Sequence, residues 1–138
     1  MRVLVPVDGS APSNDALAYA FERFPDAEFI ALYVMDPVDG ATAWGPGRTN
    51  DWLSAAEERS ETVLEAALDA ADADVAITTD AVVGRPAHTV VEYADEHDVD
   101  HVVVGSHGRD GISRILLGSV AETVVRRSPV PVTVCRSP

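Results

Sequence analysis

Apolar runs and helical stripes alternate along the chain. Val3-Leu4-Val5-Pro6-Val7 is a continuous apolar run broken by Asp8-Gly9-Ser10. Ser10 suits a helix N-cap with Pro12 in the first turn, and Ala16, Leu17, Ala20, Phe21 and Phe24 then share one helix face. A second run, Phe29 to Met35, ends at Asp36-Pro37. Residues 36–50, with Gly45-Pro46-Gly47, read as a long irregular loop. Leu53, Ala56, Ser60, Val63, Leu64, Ala67, Leu68 and Ala71 form the next helical stripe. Val75, Ile77, Thr79, Ala81 and Val83 alternate with neighbours that include Asp74, Thr78 and Asp80, which predicts a half-exposed strand near a sheet edge. Ala87, Val90, Val91 and Ala94 stripe a helix after Arg85-Pro86, and His101 to Val104 is a run of the buried type. A further helix lies within 115–125, and Val130 to Cys135 ends the pattern as a strand carrying Pro131.

Five strand-like runs alternating with four helical stripes predict an α/β fold, a parallel sheet with helices on both faces. Pro6 opposes this, since a proline in a central strand removes a ladder donor. The conflict is relieved if Pro6 sits at the carboxyl end of its strand, where open α/β sheets bind ligands at a topological switch point. Asp8, two residues on, would then project its carboxylate into that crevice.

Composition narrows the function classes. The 138 residues, 46% of them hydrophobic, suit one domain with a real core. No apolar stretch approaches the roughly 18 residues of a membrane span, and the first residues run into a strand with no signal-peptide pattern. The lone Cys135 excludes an internal disulfide framework and points to a reducing cytoplasm. All ten basic residues are arginine, so a Walker A loop, a Schiff-base lysine and a kinase strand lysine are excluded. The net charge of −13 argues against nucleic acid as a partner. Acid-rich, lysine-free composition suits a protein dissolved in concentrated salt, where repulsion is screened, and predicts a halophile-type cytosol.

The charge is uneven. Residues 1–104 carry five arginines against twenty-one acids, whereas 105–127 carry Arg109, Arg114, Arg126 and Arg127 against Asp110 and Glu122. A positive stretch in a negative chain is a place for an anionic ligand. Alternatively, Arg126 and Arg127 complement the dipole at a helix C-terminus. Within this stretch Val102-Val103-Val104 leads into Gly105-Ser106-His107-Gly108-Arg109-Asp110-Gly111, and Gly118-Ser119 opens the following helix. Glycines here let backbone N–H groups turn toward an anion, and the helix start adds a hydroxyl, free N–H groups and a positive dipole end. The expectation is a phosphate site built without lysine; the alternative, and by itself the commoner case, is a glycine-rich loop that merely connects strand to helix.

The spacing Gly105-x2-Gly108-x9-Gly118-Ser119 resembles the nucleotide-binding signature of the universal stress protein family. The resemblance extends to Val3–Ser10 with its Pro-Val-Asp-Gly-Ser turn, to Tyr33-Val34-Met35-Asp36-Pro37, and to Ser128-Pro129-Val130-Pro131-Val132, so it covers essentially the whole chain. It implies a Rossmann-like single domain over 1–138, with an open five-stranded parallel sheet of order 3-2-1-4-5. It also implies ATP with Mg2+ or Mn2+ and a homodimer, and the apolar last strand, an exposed edge if unpaired, is the expected interface. Carried over by position, Pro6 and Val7 would wall the base pocket, and Asp8 and Val34 would contact the adenine side. Gly105 would line the ribose. Gly108, Gly118, Ser119 and Val120 would hold the phosphates, which would carry the divalent ion with Ser119 as its one candidate side-chain ligand. Arg109 and Arg114 would have lesser phosphate roles.

Catalytic patterns are weak. Ser106 is not in a nucleophile elbow, and the Gly-x-Gly-x-x-Gly fingerprint is absent. His97 and His101 straddle a helix end and a strand start, so they would not share a face for a metal. The expectation is a nucleotide-binding regulatory or stress-response factor with at most slow ATP hydrolysis. The alternative is a dimeric interaction or chaperone-like module whose adenine pocket is vestigial or holds another ligand.

Overall fold

The computed structural model describes residues 1–37, 49–106 and 118–136. Its elements run β1 (Arg2–Pro6), α1 (Ala11–Arg23), β2 (Glu28–Met35), α2 (Thr49–Ala70), β3 (Ala76–Val83), α3 (Pro86–Glu96), β4 (His101–Gly105), α4 (Ser119–Arg127) and β5 (Val132–Cys135). Every ladder is parallel and the sheet order is β3-β2-β1-β4-β5. This is the α/β architecture expected from the alternating pattern, in the strand order implied by the family resemblance.

Two apolar layers explain why the central strands read as unbroken runs. On one face Val3, Val5, Phe29, Ala31 and Val103 pack with Ala16, Leu17 and Ala20 of α1 and with Ala56 and Leu64 of α2. On the other, Leu4, Leu32, Val102 and Val104 pack with Val90 and Ala94 of α3 and with Ala121 and Val124 of α4. Each fully buried side chain of this size contributes about 1.5–3 kcal/mol of transfer free energy, so side chains on both faces must be apolar. Among the described residues β3 has one neighbouring strand, and none of its residues is fully buried, as befits an edge strand.

Some details differ from the sequence expectation. Val75 precedes β3, and Val83, placed on its inward stripe, is 51% exposed at the strand end. Leu68 is 42% exposed near the end of α2, whereas Trp52, outside the predicted stripe, is buried. α2 starts at Thr49, slightly inside the expected loop, and α4 starts at Ser119. No helix among the described residues is long and apolar enough to cross a membrane.

Candidate functional site

The sheet reverses its winding between β1 and β4, and Pro6 helps to part those strands at their carboxyl ends. The Val7 N–H donates to the Leu32 carbonyl on β2 (2.9 Å), and the Arg2 carbonyl accepts from Asp100 on the β4 side (2.8 Å). Backbone groups alternate along a strand, so Pro6 turns its missing N–H toward β4. The β1–β2 ladder accordingly continues to Pro6↔Leu32, while the β1–β4 ladder covers only Val3↔His101 and Leu4↔Val102. Val34 lies two residues beyond Leu32. Even-numbered β2 residues direct their backbone groups toward β1, so the Val34 amide and carbonyl face the space past the end of that strand.

The turn from β1 into α1 satisfies itself. Val7 is buried and Asp8 is half-buried; the Asp8 carboxylate accepts the Ser10 N–H at 2.9 Å through Oδ1. Gly9 follows at φ +83°, a left-handed conformation that a side chain would strain. Ser10 caps α1, its Oγ accepting the Ser13 N–H at 3.3 Å. The Ser13 hydroxyl donates to the Ser10 carbonyl and accepts the Asp8 N–H, both at 3.2 Å. Asp8 is thus a turn-forming residue in its own right, with a second carboxylate oxygen beyond the one that binds Ser10.

The junction of β4 and α4 is built differently. A Cβ on Gly105 would lie 2.7 Å from the Pro12 carbonyl oxygen and 2.8 Å from its carbon, so α1 packs directly on the backbone at this point. The glycine therefore has a packing reason independent of any ribose. Ser106, buried, donates its N–H to the Cys135 carbonyl at the end of β5 (2.9 Å), and its own carbonyl accepts the Gly118 N–H at 2.6 Å. Gly118 is the N-cap of α4 and supplies no side-chain cap. The first helical bond runs from the Glu122 N–H to the Gly118 carbonyl, which leaves the amides of Ser119, Val120 and Ala121 without intrahelical partners. Ser119 and Val120 are exposed. An anion placed there meets a row of N–H donors, the Ser119 hydroxyl and the positive end of the helix dipole.

The positive stretch splits. Arg126 pairs with Glu122 at 2.9 Å, and Arg126 and Arg127 occupy the last turn of α4, away from its anion-facing start. Their role is the dipole-complementing one. Gly108, Arg109 and Arg114 lie outside the described residues.

The histidines do not converge. His97 caps the end of α3 with its ring stacked on Tyr93 at 3.7 Å, whereas His101 begins β4 with Nε2 2.7 Å from Thr133 Oγ1. Burial lowers the His101 pKa. Burial, then the nearby Asp15, pushes the Cys135 thiol up, which makes it a poor nucleophile. Among the described residues no three His, Cys, Asp or Glu side chains gather to hold a metal. Sequence reasoning considered Ser106 only as a nucleophile. Its bridging of β5 and α4 depends on two long-range backbone bonds that no local pattern records.

Comparison with known proteins agrees with this arrangement. The sequence profile of the Universal stress protein family matches residues 1–136. Universal stress protein MJ0531 of Methanocaldococcus jannaschii is 36% identical, over 99% of this chain and 82% of that protein. The solved universal stress protein UspA from Lactobacillus plantarum superposes with a TM-score of 0.82 at 27% identity, covering 99% of this chain and 97% of its own. A universal stress protein solved in complex with cAMP does so at 0.62 and 29% identity, covering 99% and 96%. With its strand order, its switch-point crevice and the glycine-opened fourth helix, this chain belongs to the universal stress protein family.

Proposed function

We propose that the chain is an adenine-nucleotide-binding stress protein, and that ATP with Mg2+ or Mn2+ is its ligand. The observation that carries this reading is the start of α4, which opens at the switch point with three amides unused and no side-chain cap. The base would lie between the end of β1 and Val34. The Val34 amide and carbonyl would face its hydrogen-bonding edge, with Pro6 and Val7 as the wall and the free Asp8 oxygen toward the nucleoside. Gly118 would shape the approach to the helix, and Ser119 and Val120 would donate to the phosphates. Gly108 and Arg109 would complete the loop between Ser106 and Gly118. The complex with cAMP supports an adenine ligand rather than a particular phosphate number.

Such binding would set conformation or partner choice in a cytoplasmic regulatory factor. A homodimer through β5 goes with it. Among the described residues that strand is the sheet edge on its side, its Val132 and Val134 only half-buried, and antiparallel pairing with a second copy would cover it. The same edge favours the second reading, a dimeric interaction module whose crevice is empty of nucleotide.

Calorimetry with ATP, ADP, cAMP and adenosine, with magnesium present and in molar potassium chloride to screen the −13 charge, tests the assignment. Gly118→Val places bulk where the phosphates approach, at a φ of −63° that valine tolerates, so it abolishes ATP binding while the fold is kept at a cost of about 1 kcal/mol or less for an apolar N-cap. Ser119→Ala loses one charge-assisted hydrogen bond, about 1.5–3 kcal/mol or roughly ten- to a hundredfold in affinity. Asp8→Asn, which keeps the oxygen that binds Ser10, weakens adenosine and ATP alike. A Gly118→Val protein that binds ATP as wild type does overturns the phosphate placement. Wild type with no nucleotide affinity hands the function to the interaction module.

A further inference from the structure

β3 is the outermost strand on its side, eight residues in unbroken register with β2 from Ala76↔Glu28 to Val83↔Met35. Just past its end the Gly84 N–H donates to the Met35 carbonyl at 3.0 Å. Because alternate residues of a strand face alternate neighbours, Thr78, Asp80 and Val82 turn their backbone groups to β2. Ile77, Thr79, Ala81 and Val83 turn theirs outward, where no further strand lies among the described residues. Proteins usually blunt such an edge with a proline, a bulge or a free charge. β3 has no proline and no bulge. Its one charged residue, Asp80, is already engaged, accepting the Tyr93 hydroxyl at 2.9 Å.

Beside this edge runs a groove of about 260 Å³, lined by Asp80 and Val82 of β3 and by Thr89, Glu92, Tyr93, Glu96 and His97. It lies where α3, packed over β2 and against α4, meets β3 mainly through Tyr93 and its bond to Asp80. Glu92 and Glu96 stand one turn apart on α3, both exposed, and no ion pair among the described residues engages either. Like charges at that spacing repel, and a cation between them relieves the repulsion.

We propose that the β3 edge and this groove bind an extended, arginine- or lysine-bearing segment of another protein. The segment adds as a strand beside β3 and lays a cationic side chain between Glu92 and Glu96. Backbone hydrogen bonds supply affinity and the groove supplies the preference for positive charge. A second copy of the chain is the wrong occupant, since pairing β3 with β3 would bring two identical acidic grooves together in a chain of net charge −13. The proposal is independent of what the switch-point crevice holds.

The probe is a capped octapeptide of alternating arginine and valine, titrated into the full chain at one salt concentration that keeps it folded. Amide exchange should slow newly at Ile77, Thr79, Ala81 and Val83, a period-two signature that charge attraction alone does not produce. Thr79→Pro removes an outward amide and spares the β2 ladder, and should weaken binding by about tenfold or more. Glu92→Gln with Glu96→Gln should weaken it by about threefold. Glu22→Gln with Asp26→Asn, near the far end of α1, should leave it unchanged. Melts confirm that each variant folds, and the exchange pattern needs no variant. Exchange without the period-two signature, or an equal loss from the remote pair, overturns the proposal. So does a β3-dependent dimer that forms without peptide and disappears in Thr79→Pro, because the occupant is then a second copy.

Discussion

Two helices start from the two central strands, side by side at the carboxyl rim of the sheet, and they start in opposite ways. α1 is closed by its own chain: Ser10 caps it, Asp8 holds Ser10, and Ser13 returns bonds to both. α4 is opened by Gly118, whose amide is tied to Ser106 and whose missing side chain caps nothing. α3 also lacks a side-chain cap, but Pro86 in its first turn removes one donor, and it begins at the edge of the sheet rather than at the switch point. A closed start adds stability to the fold, whereas an open start at the switch point leaves N–H groups for something outside the chain. The division between the two turns is thus one of capped against uncapped donors, which a hydropathy profile cannot show.

Removing the support that brings the two starts together should have the largest effect. Gly105→Ala puts a methyl against the Pro12 backbone and forces α1 off β4, which should cost about 1–3 kcal/mol in chemical denaturation whether or not nucleotide is present. A loss confined to nucleotide affinity would mean that the glycine serves the ligand instead. Ser10→Ala unseats the closed start and should cost about 1 kcal/mol of stability with nucleotide affinity unchanged. A large affinity change in that variant would erase the division between the turns. The smallest stability effect should come from converting the open start into a closed one. Gly118→Ser should gain roughly a few tenths of a kcal/mol in the melt. Because the new hydroxyl competes for an α4 amide, nucleotide affinity should fall by about threefold. A gain in both quantities would show that cap and ligand do not share donors.

Most of the fold is legible in the sequence because the central strands are buried on both faces, so Val3–Val5, Phe29–Met35 and Val102–Val104 could be little else. The alternation in β3 likewise marks its edge position. Pro6 looked like an objection to a strand and is instead what lets the crevice open, which becomes evident once the ladder registers are known. The start of α4 is legible from Gly118-Ser119, since a glycine before a helical stripe is a local signal. Gly105 is legible as a close approach, but its partner, Pro12, is distant in sequence and no periodicity connects them. Trp52 escaped notice because its position beside a long loop hides that it is buried in the core.

The Ser106 peptide has a further consequence for how the molecule is made. Its N–H is held by the Cys135 carbonyl and its carbonyl holds Gly118, so the start of α4 is braced through the strand that follows it in the chain. A ribosome that has released residues only as far as Arg127 has delivered β4 and α4 but not this brace. The start of α4 is thus braced only once residues through Cys135 have been made, after the rest of the sheet is available to fold.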